Sequence, residues 1–392
     1  MNKKKMPLNS HLLASYQESG FFLKNRNATK RIFAEEKKHR RCPDAYIYSR
    51  YRNPTVAAVE ERLMEIEGAA WALLAQSGMA AIDIALSIFQ RGPATRPWLF
   101  FSEIYGGTNS FIDLILRGRR GINVERFQAI NGAYDLDLLQ ITLDKLKPEL
   151  LFFEAVSNPM LIISDALPII AMAKKRGIIV MVDNTFATPL LWRPLEDGAD
   201  IVIHSATKYL AGHGNLTAGV VAGKRPDFAR AAVEYRKWVG HMLGPDDALR
   251  LDGFLKTFAI RFEKQCANAL KLANFLNNHK KIASVLYPGL PGHATHRQAK
   301  KLFKNRGYGA VITFDIGGAD DKKKQKNCDI FIKELQNKIP LVPTLGDVDS
   351  ILIPVEAIWG DRYPNPGMIR LSVGIESYEK LQTTIADALA AF

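Results

Sequence analysis

Between residues 59 and 250, short apolar runs alternate with stretches of helical periodicity, and this constrains the fold more than any other feature of the chain. Trp71–Leu74, Trp98–Phe101, Leu151–Phe153, Ile178–Val182 and Ile201–Ile203 are continuously apolar, as strands covered on both faces must be. Val59–Glu67, Met79–Phe89 and Ile169–Arg176 carry helical patterns, the last running into basic residues and Gly177, a helix stop. Pro189–Gly198 reads as a loop. Strands alternating with helices imply an α/β fold with a mostly parallel sheet.

Residues 1–58 are polar, basic and poorly periodic, and read as an N-terminal arm. The large domain is expected over 59–250 and a smaller α/β domain over 251–392. In the latter, Asp252–Asn277 reads as one long helix with Leu255, Phe258, Phe262, Cys266, Ala269 and Ala273 on one face. Ala310–Ile316 and Ile369–Val373 read as strands, and Asp320–Asn327 as a charged loop.

An apolar fraction of 47% with 24% charged residues is that of an ordinary globular protein. No run of eighteen apolar residues offers a transmembrane helix. The basic start Met1–Lys5 is followed by no apolar segment, so a cytoplasmic location is expected. Cys42, Cys266 and Cys328 are too scattered for a disulfide framework or a zinc site. The net charge of +13 is dispersed over Lys3–Lys5, Lys37–Arg41, Arg117–Arg120 and Lys322–Lys326, without a nucleic-acid motif. Such a field suits an anionic cofactor and carboxylate substrates, and no nucleic-acid partner is expected.

Lys208, in Ser205-Ala206-Thr207-Lys208-Tyr209, follows the run Ile201–Ile203. That places an amine beside two hydroxyls, Ser205 and Thr207, at the carboxyl end of a sheet, where open α/β folds bind ligands. Pyridoxal 5′-phosphate (PLP) carries both groups this pentapeptide suits, a phosphate and an aldehyde; a solvated lysine capping a strand is the alternative. Asp183 ends Ile178–Val182, where a carboxylate needs a partner such as a pyridinium nitrogen, or else caps the turn Asn184-Thr185. Ser77-Gly78-Met79-Ala80-Ala81 opens a helix, as an anion cradle or an ordinary N-cap would. Tyr105-Gly106-Gly107-Thr108 puts an aromatic beside two glycines, suited to lying on a heterocycle or to a surface turn. Arg370, opening Leu371-Ser372-Val373, is either a carboxylate fork or a strand-edge arginine.

These motifs, together with Tyr48-Ser49-Arg50-Tyr51-Arg52-Asn53-Pro54-Thr55, stand in one order. Over about residues 45–392 the chain resembles the Cys/Met-metabolism PLP enzymes of fold type I: cystathionine β- and γ-lyases, cystathionine γ-synthase, methionine γ-lyase and the O-acylhomoserine sulfhydrylases. The resemblance implies Lys208 as Schiff-base lysine and proton carrier, Asp183 as partner of the pyridinium, and Tyr105 as ring-stacking residue that assists proton transfer. It implies Gly78, Met79, Ser205 and Thr207 as phosphate ligands. Tyr48 and Arg50 would reach a neighbouring subunit's phosphate, in a homotetramer built as a dimer of dimers with shared sites. Asn158 would touch cofactor and substrate, and Thr344 and Arg370 the substrate carboxylate.

The chain also departs from the pattern. Ala155 replaces a hydroxyl residue, Gly214-Asn215 stands where Ser-Asp is common, and Val355–Gly360 lacks the usual Ala-Ser-x-Thr-His. Pro343 replaces a glutamate common in cystathionine γ-lyases and γ-synthases, and Gly107 a cysteine frequent in methionine γ-lyases. The expected reaction is carbon–sulfur bond cleavage in a sulfur amino acid by α,β- or α,γ-elimination, as in cystathionine β/γ-lyase or methionine γ-lyase. The alternatives are γ-replacement, as in cystathionine γ-synthase or O-acylhomoserine sulfhydrylase, and a degenerate, non-enzymatic binding protein.

Overall fold

The computed structural model describes residues 12–37, 45–90 and 96–392. The basic start Met1–Lys5, the run Lys38–Arg41 and Cys42 lie outside the described residues. Seven strands form the larger sheet: β1 (Trp71–Ala75), β2 (Trp98–Phe101), β3 (Val124–Phe127), β4 (Leu150–Glu154), β5 (Ile179–Asp183), β6 (Ile201–Ser205) and β7 (Gly219–Gly223). Their spatial order is β1-β7-β6-β5-β4-β2-β3. From β3 to β6 every pairing is parallel, while β7 runs antiparallel to both β6 and β1. The second sheet is antiparallel, in the order β10-β11-β9-β8, from β8 (Ile282–Leu286), β9 (Val311–Ile316), β10 (Ile351–Pro354) and β11 (Met368–Ser372).

The apolar runs read as strands are strands, and the mostly parallel α/β sheet is present. Four strands escaped that reading. In β3 the apolar ends enclose Glu125 and Arg126, and β7 is bounded by glycines. Gly219 has a steric reason to be glycine: a Cβ there would lie 2.1 Å from the Ser77 carbonyl oxygen.

Buried side chains gather into two cores. One surrounds the larger sheet, and the other lies between the smaller sheet and its helices. Helix Phe258–Asn277 serves both: Phe258, Phe262 and Cys266 belong to the first, Ala269, Leu272, Ala273 and Leu276 to the second. None of the helices among the described residues is long and apolar enough to cross a membrane.

Several expected boundaries shift. The first expected helix begins at Pro54 rather than Val59, because Asn53 caps it through Thr55 N and Pro54 presets the first turn. It therefore runs through the arm boundary expected near residue 58, and helix Pro245–Leu255 runs through the one expected near 250. The long helix expected over 252–277 is broken in two at Lys256-Thr257, where the Phe254 carbonyl accepts from Thr257 N at 3.2 Å and from Arg261 Nη2 at 3.0 Å. The charged stretch Asp320–Asn327 is not a loop. It opens helix Asp321–Leu335, with Asp320 accepting Lys323 N at 2.7 Å and Asn327, Cys328, Phe331 and Leu335 forming the buried side. Pro189–Gly198 starts inside the short helix Thr188–Leu191.

Candidate active site

Parallel strands end together, and three of them end in polar residues: Glu154 on β4, Asp183 on β5 and Ser205 on β6. Glu154 and Asp183 are register partners, as are Asp183 and Ile203. Above these ends lies a cavity of about 220 Å³ between the two sheets' loops. Ten residues read from the sequence line it: Gly78, Met79, Tyr105, Asn158, Asp183, Ser205, Thr207, Lys208, Thr344 and Arg370. Tyr48 and Arg50 do not. The Arg50 guanidinium instead lies over the rings of Tyr48, Tyr51 and Trp238 and donates to Lys237 O at 2.6 Å.

Lys208 sits in the turn that leaves β6, its N–H bonded to Ser205 O at 3.1 Å. Its Nζ donates to Thr344 Oγ1 at 2.6 Å. The loop carrying Thr344 is pressed against the lysine's own backbone. Gly346 has φ +84°, and a Cβ there would stand 2.7 Å from Tyr209 N. Burial, helped by the charge of Arg370, brings the Lys208 amine down to about 8.

Asp183 caps the turn that follows it and also lines the cavity. Its Oδ1 accepts Thr185 N at 3.0 Å and Thr185 Oγ1 at 2.6 Å, which leaves Oδ2 for an occupant of the cavity. Burial raises its carboxyl, while Thr185 and the nearby His204 oppose that rise. Glu154, beside it, is pushed well above the usual carboxylate range by burial and then by the charge of Asp183. Two adjacent carboxylates share one poorly solvated strand end, and burial with the charge of Asp183 works against ionising Glu154. Glu154 also accepts Tyr105 N at 2.6 Å and so fixes where the tyrosine starts. Tyr105 itself is 48% exposed. Gly107 makes room for its ring: a Cβ at 107 would fall 2.4 Å from Tyr105 Cε1.

Across the cavity, Arg370 is 4% exposed. Its Nη1 donates to Asn158 Oδ1 at 3.1 Å and its Nη2 to Thr344 O at 2.6 Å, while its buried Nε has no partner. Arg370 lines the cavity, and a guanidinium so placed can fork onto a carboxylate. On the third side, helix Gly78–Ser87 presents the amides of its first turn, with Ser77 Oγ capping Ala80 N at 3.1 Å. The helix comes so near β6 that a Cβ on Gly78 would stand 2.8 Å from Ser205 Cβ. The Thr207 hydroxyl is engaged with the Ala218 backbone, donating at 3.2 Å and accepting at 3.0 Å.

The sequence reading missed Glu154 and Thr185 as site residues. Thr185 had a signal, since it follows a strand-terminal Asp. Glu154 had none, because only the three-dimensional register shows which strand end it stands beside.

An amine of lowered basicity, an acid with a free oxygen, helix-terminal amides against a hydroxyl, and a buried guanidinium fit PLP, and they define a PLP-dependent enzyme on an α/β sheet. Comparison with known proteins agrees. The sequence profile of the Cys/Met metabolism PLP-dependent enzymes matches residues 2–390, and the chain belongs to that family. It is 36% identical to the cystathionine beta-lyase of Lactococcus lactis subsp. cremoris (strain MG1363), over 88% of this chain and 89% of the relative. It is 33% identical to the L-methionine gamma-lyase of Porphyromonas gingivalis, over 93% and 89%. The structure superposes with a TM-score of 0.86 on a putative O-acetylhomoserine (thiol)-lyase from Campylobacter jejuni, 28% identical, covering 99% of this chain and 97% of that one. That neighbour carries a pyridoxyl-lysine monophosphate.

Proposed function

We propose that this chain is a carbon–sulfur lyase that cleaves a sulfur amino acid by α,β- or α,γ-elimination. The observation that carries the reading is the placing of Lys208 Nζ in one cavity with Asp183 and Arg370. Bound there, PLP supplies an aldehyde for amine exchange and a ring that takes up electrons from the substrate α-carbon. Lys208 would hold the aldehyde carbon and, once displaced, move the proton between substrate carbons. The Asp183 anion would face the ring nitrogen, oriented by its two bonds from Thr185. The amides of Gly78 and Met79 with the Ser205 hydroxyl would receive the phosphate. Thr207 would add its hydroxyl to that cradle, positioned by its two bonds with the Ala218 backbone. Arg370 would fork onto the substrate carboxylate, with Asn158 and Thr344 fixing its plane. Tyr105 would cover the ring face and stand within reach of the moving proton.

Tyr48 and Arg50 lie outside their own chain's cavity, and this supports their assignment to a neighbour's phosphate in a homodimer with shared sites, paired into a tetramer.

A second reading is γ-replacement. Likeness to the Campylobacter jejuni thiol-lyase structure and to cystathionine γ-synthase from Xanthomonas oryzae favours it, the latter at 26% identity and TM-score 0.85. Incubation with cystathionine, with methionine, and with O-acylhomoserine plus thiol separates the two. Keto acid and ammonia from a thioether alone support elimination; product only in the third mixture overturns it.

A further inference from the structure

Val355–Arg362, which contains the departure from pattern at Val355–Gly360, folds into a strap that runs past Arg370 to Ser102. Helix Val355–Trp359 follows β10 and packs on β10 and β11, and a single 3₁₀ turn, Gly360–Arg362, follows it. Beyond the turn the chain is tied to the larger sheet's loops. Arg362 Nη2 donates to Ser102 O at 2.6 Å and pairs with Glu103 at 3.2 Å, while Tyr363 OH donates to Glu103 Oε2 at 2.5 Å. Ser102 and Glu103 immediately precede the Tyr105 turn, so the strap joins the carboxylate side of the cavity to the ring-stacking side.

Trp359 stands where these two sides meet. Its ring centroid is 5.8 Å from Arg370 Cζ and 6.4 Å from the Tyr363 ring. Its Nε1 is the nearest atom to the Cβ position of Gly106, at 3.9 Å. An indole there leans on the guanidinium that would take the carboxylate and brings its N–H edge to the Tyr105 turn. Among the described residues that line the cavity, none offers a distal ammonium a carboxylate away from the strand ends. The carboxylates lining the cavity are Glu154 and Asp183, both at the strand-end floor. Glu103 is engaged by Arg362 and Tyr363, and the strap residues Glu356, Trp359 and Asp361 all stand outside the wall of the cavity itself, Trp359 being the one beside Arg370. Pro343 and Leu345 flank Thr344 with further apolar surface.

We propose that Trp359 is a specificity-determining residue, forming the apolar rim of the substrate subsite and selecting amino acids whose side chain beyond the sulfur is uncharged. The proposal rests on the lyase reading but is testable apart from it.

The test is titration of the holoenzyme, followed by cofactor absorbance, with two ligands that cannot eliminate. Norleucine is methionine with the sulfur replaced by a methylene, and diaminosuberate is cystathionine changed in the same way. The wild type is expected to bind norleucine at least about 10-fold more tightly than diaminosuberate. Trp359→Ala should lose roughly 10-fold for norleucine and under about 3-fold for diaminosuberate, with Trp359→Phe restoring most of the loss. Equal affinity of the wild type for both ligands, or an equal change in both on Trp359→Ala, overturns the proposal. A protein that shows the expected selectivity yet eliminates nothing from any thioether amino acid contradicts the lyase reading and leaves the rim assignment standing.

Discussion

A lysine amine near 8 is still mostly protonated at neutral pH, and only its free base adds to an aldehyde. Capture of PLP by the cofactor-free protein should therefore accelerate with pH and level off just above 8. An ordinary lysine would level off only above about 10.4. Because burial outweighs the charge of Arg370 here, Arg370→Ala should move the inflection upward by only a fraction of that gap. The same depression has a thermodynamic sign. Between pH 8 and the ordinary lysine value the unfolded chain binds more protons than the folded one, so cofactor-free stability at this site rises with pH across that window. Thr185 offers a second handle. Its hydroxyl donates to Asp183 at 2.6 Å and accepts Ser205 N at 2.8 Å, so Thr185→Val removes support from both the acid and the phosphate side. Bonds to charged groups contribute about 1.5–3 kcal/mol, so a loss of roughly 10- to 100-fold in kcat/KM is expected. Unchanged steady-state kinetics would contradict the role given to Asp183.

At the scale of elements, the cavity depends on how closely helix Gly78–Ser87 approaches β6. Gly78→Ala puts a methyl 2.8 Å from Ser205 Cβ and must push the two apart. Cofactor affinity, measured by absorbance titration, should fall by at least about 10-fold. Gly253 is the contrasting case: it lies within helix Pro245–Leu255 with open space around its Cβ position. Gly253→Ala should raise stability by about 0.5–1 kcal/mol in denaturant unfolding and leave cofactor affinity alone. The same contrast shows what the sequence made legible. Strands covered on both faces announce themselves as unbroken apolar runs, and a functional residue at a strand end inherits that clarity. This is why Asp183, Ser205 and Lys208 could be placed before any coordinates. Helix Asp321–Leu335 was hidden because its first turns are almost wholly charged, and its buried side begins only at Asn327. Strand β7 was hidden between glycines required by its neighbours rather than by itself. The strap at Trp359 could be seen only as a departure from pattern, since its position depends on contacts with Ser102, Glu103 and Arg370, all distant in sequence.

Across the whole molecule, ten of the twelve site residues read from the sequence meet in one cavity, and Tyr48 and Arg50 stand apart. Shared sites make a sharp expectation for mixed oligomers. Lys208→Ala and Arg50→Ala chains, each impaired alone, are unfolded and refolded together. Half of randomly paired dimers are hybrids with one intact site of two, so about a quarter of wild-type activity should return above the residual of the parents. Self-contained sites would return nothing beyond that residual.

The Lys208 amine is the group proposed to hold the cofactor. Holoenzyme treated with borohydride and then digested for peptide mass mapping should carry a pyridoxyl-phosphate mass on the peptide containing Lys208, and Lys208→Ala protein should carry none. A label on another lysine, or retention of the label by the Lys208→Ala protein, would contradict the account.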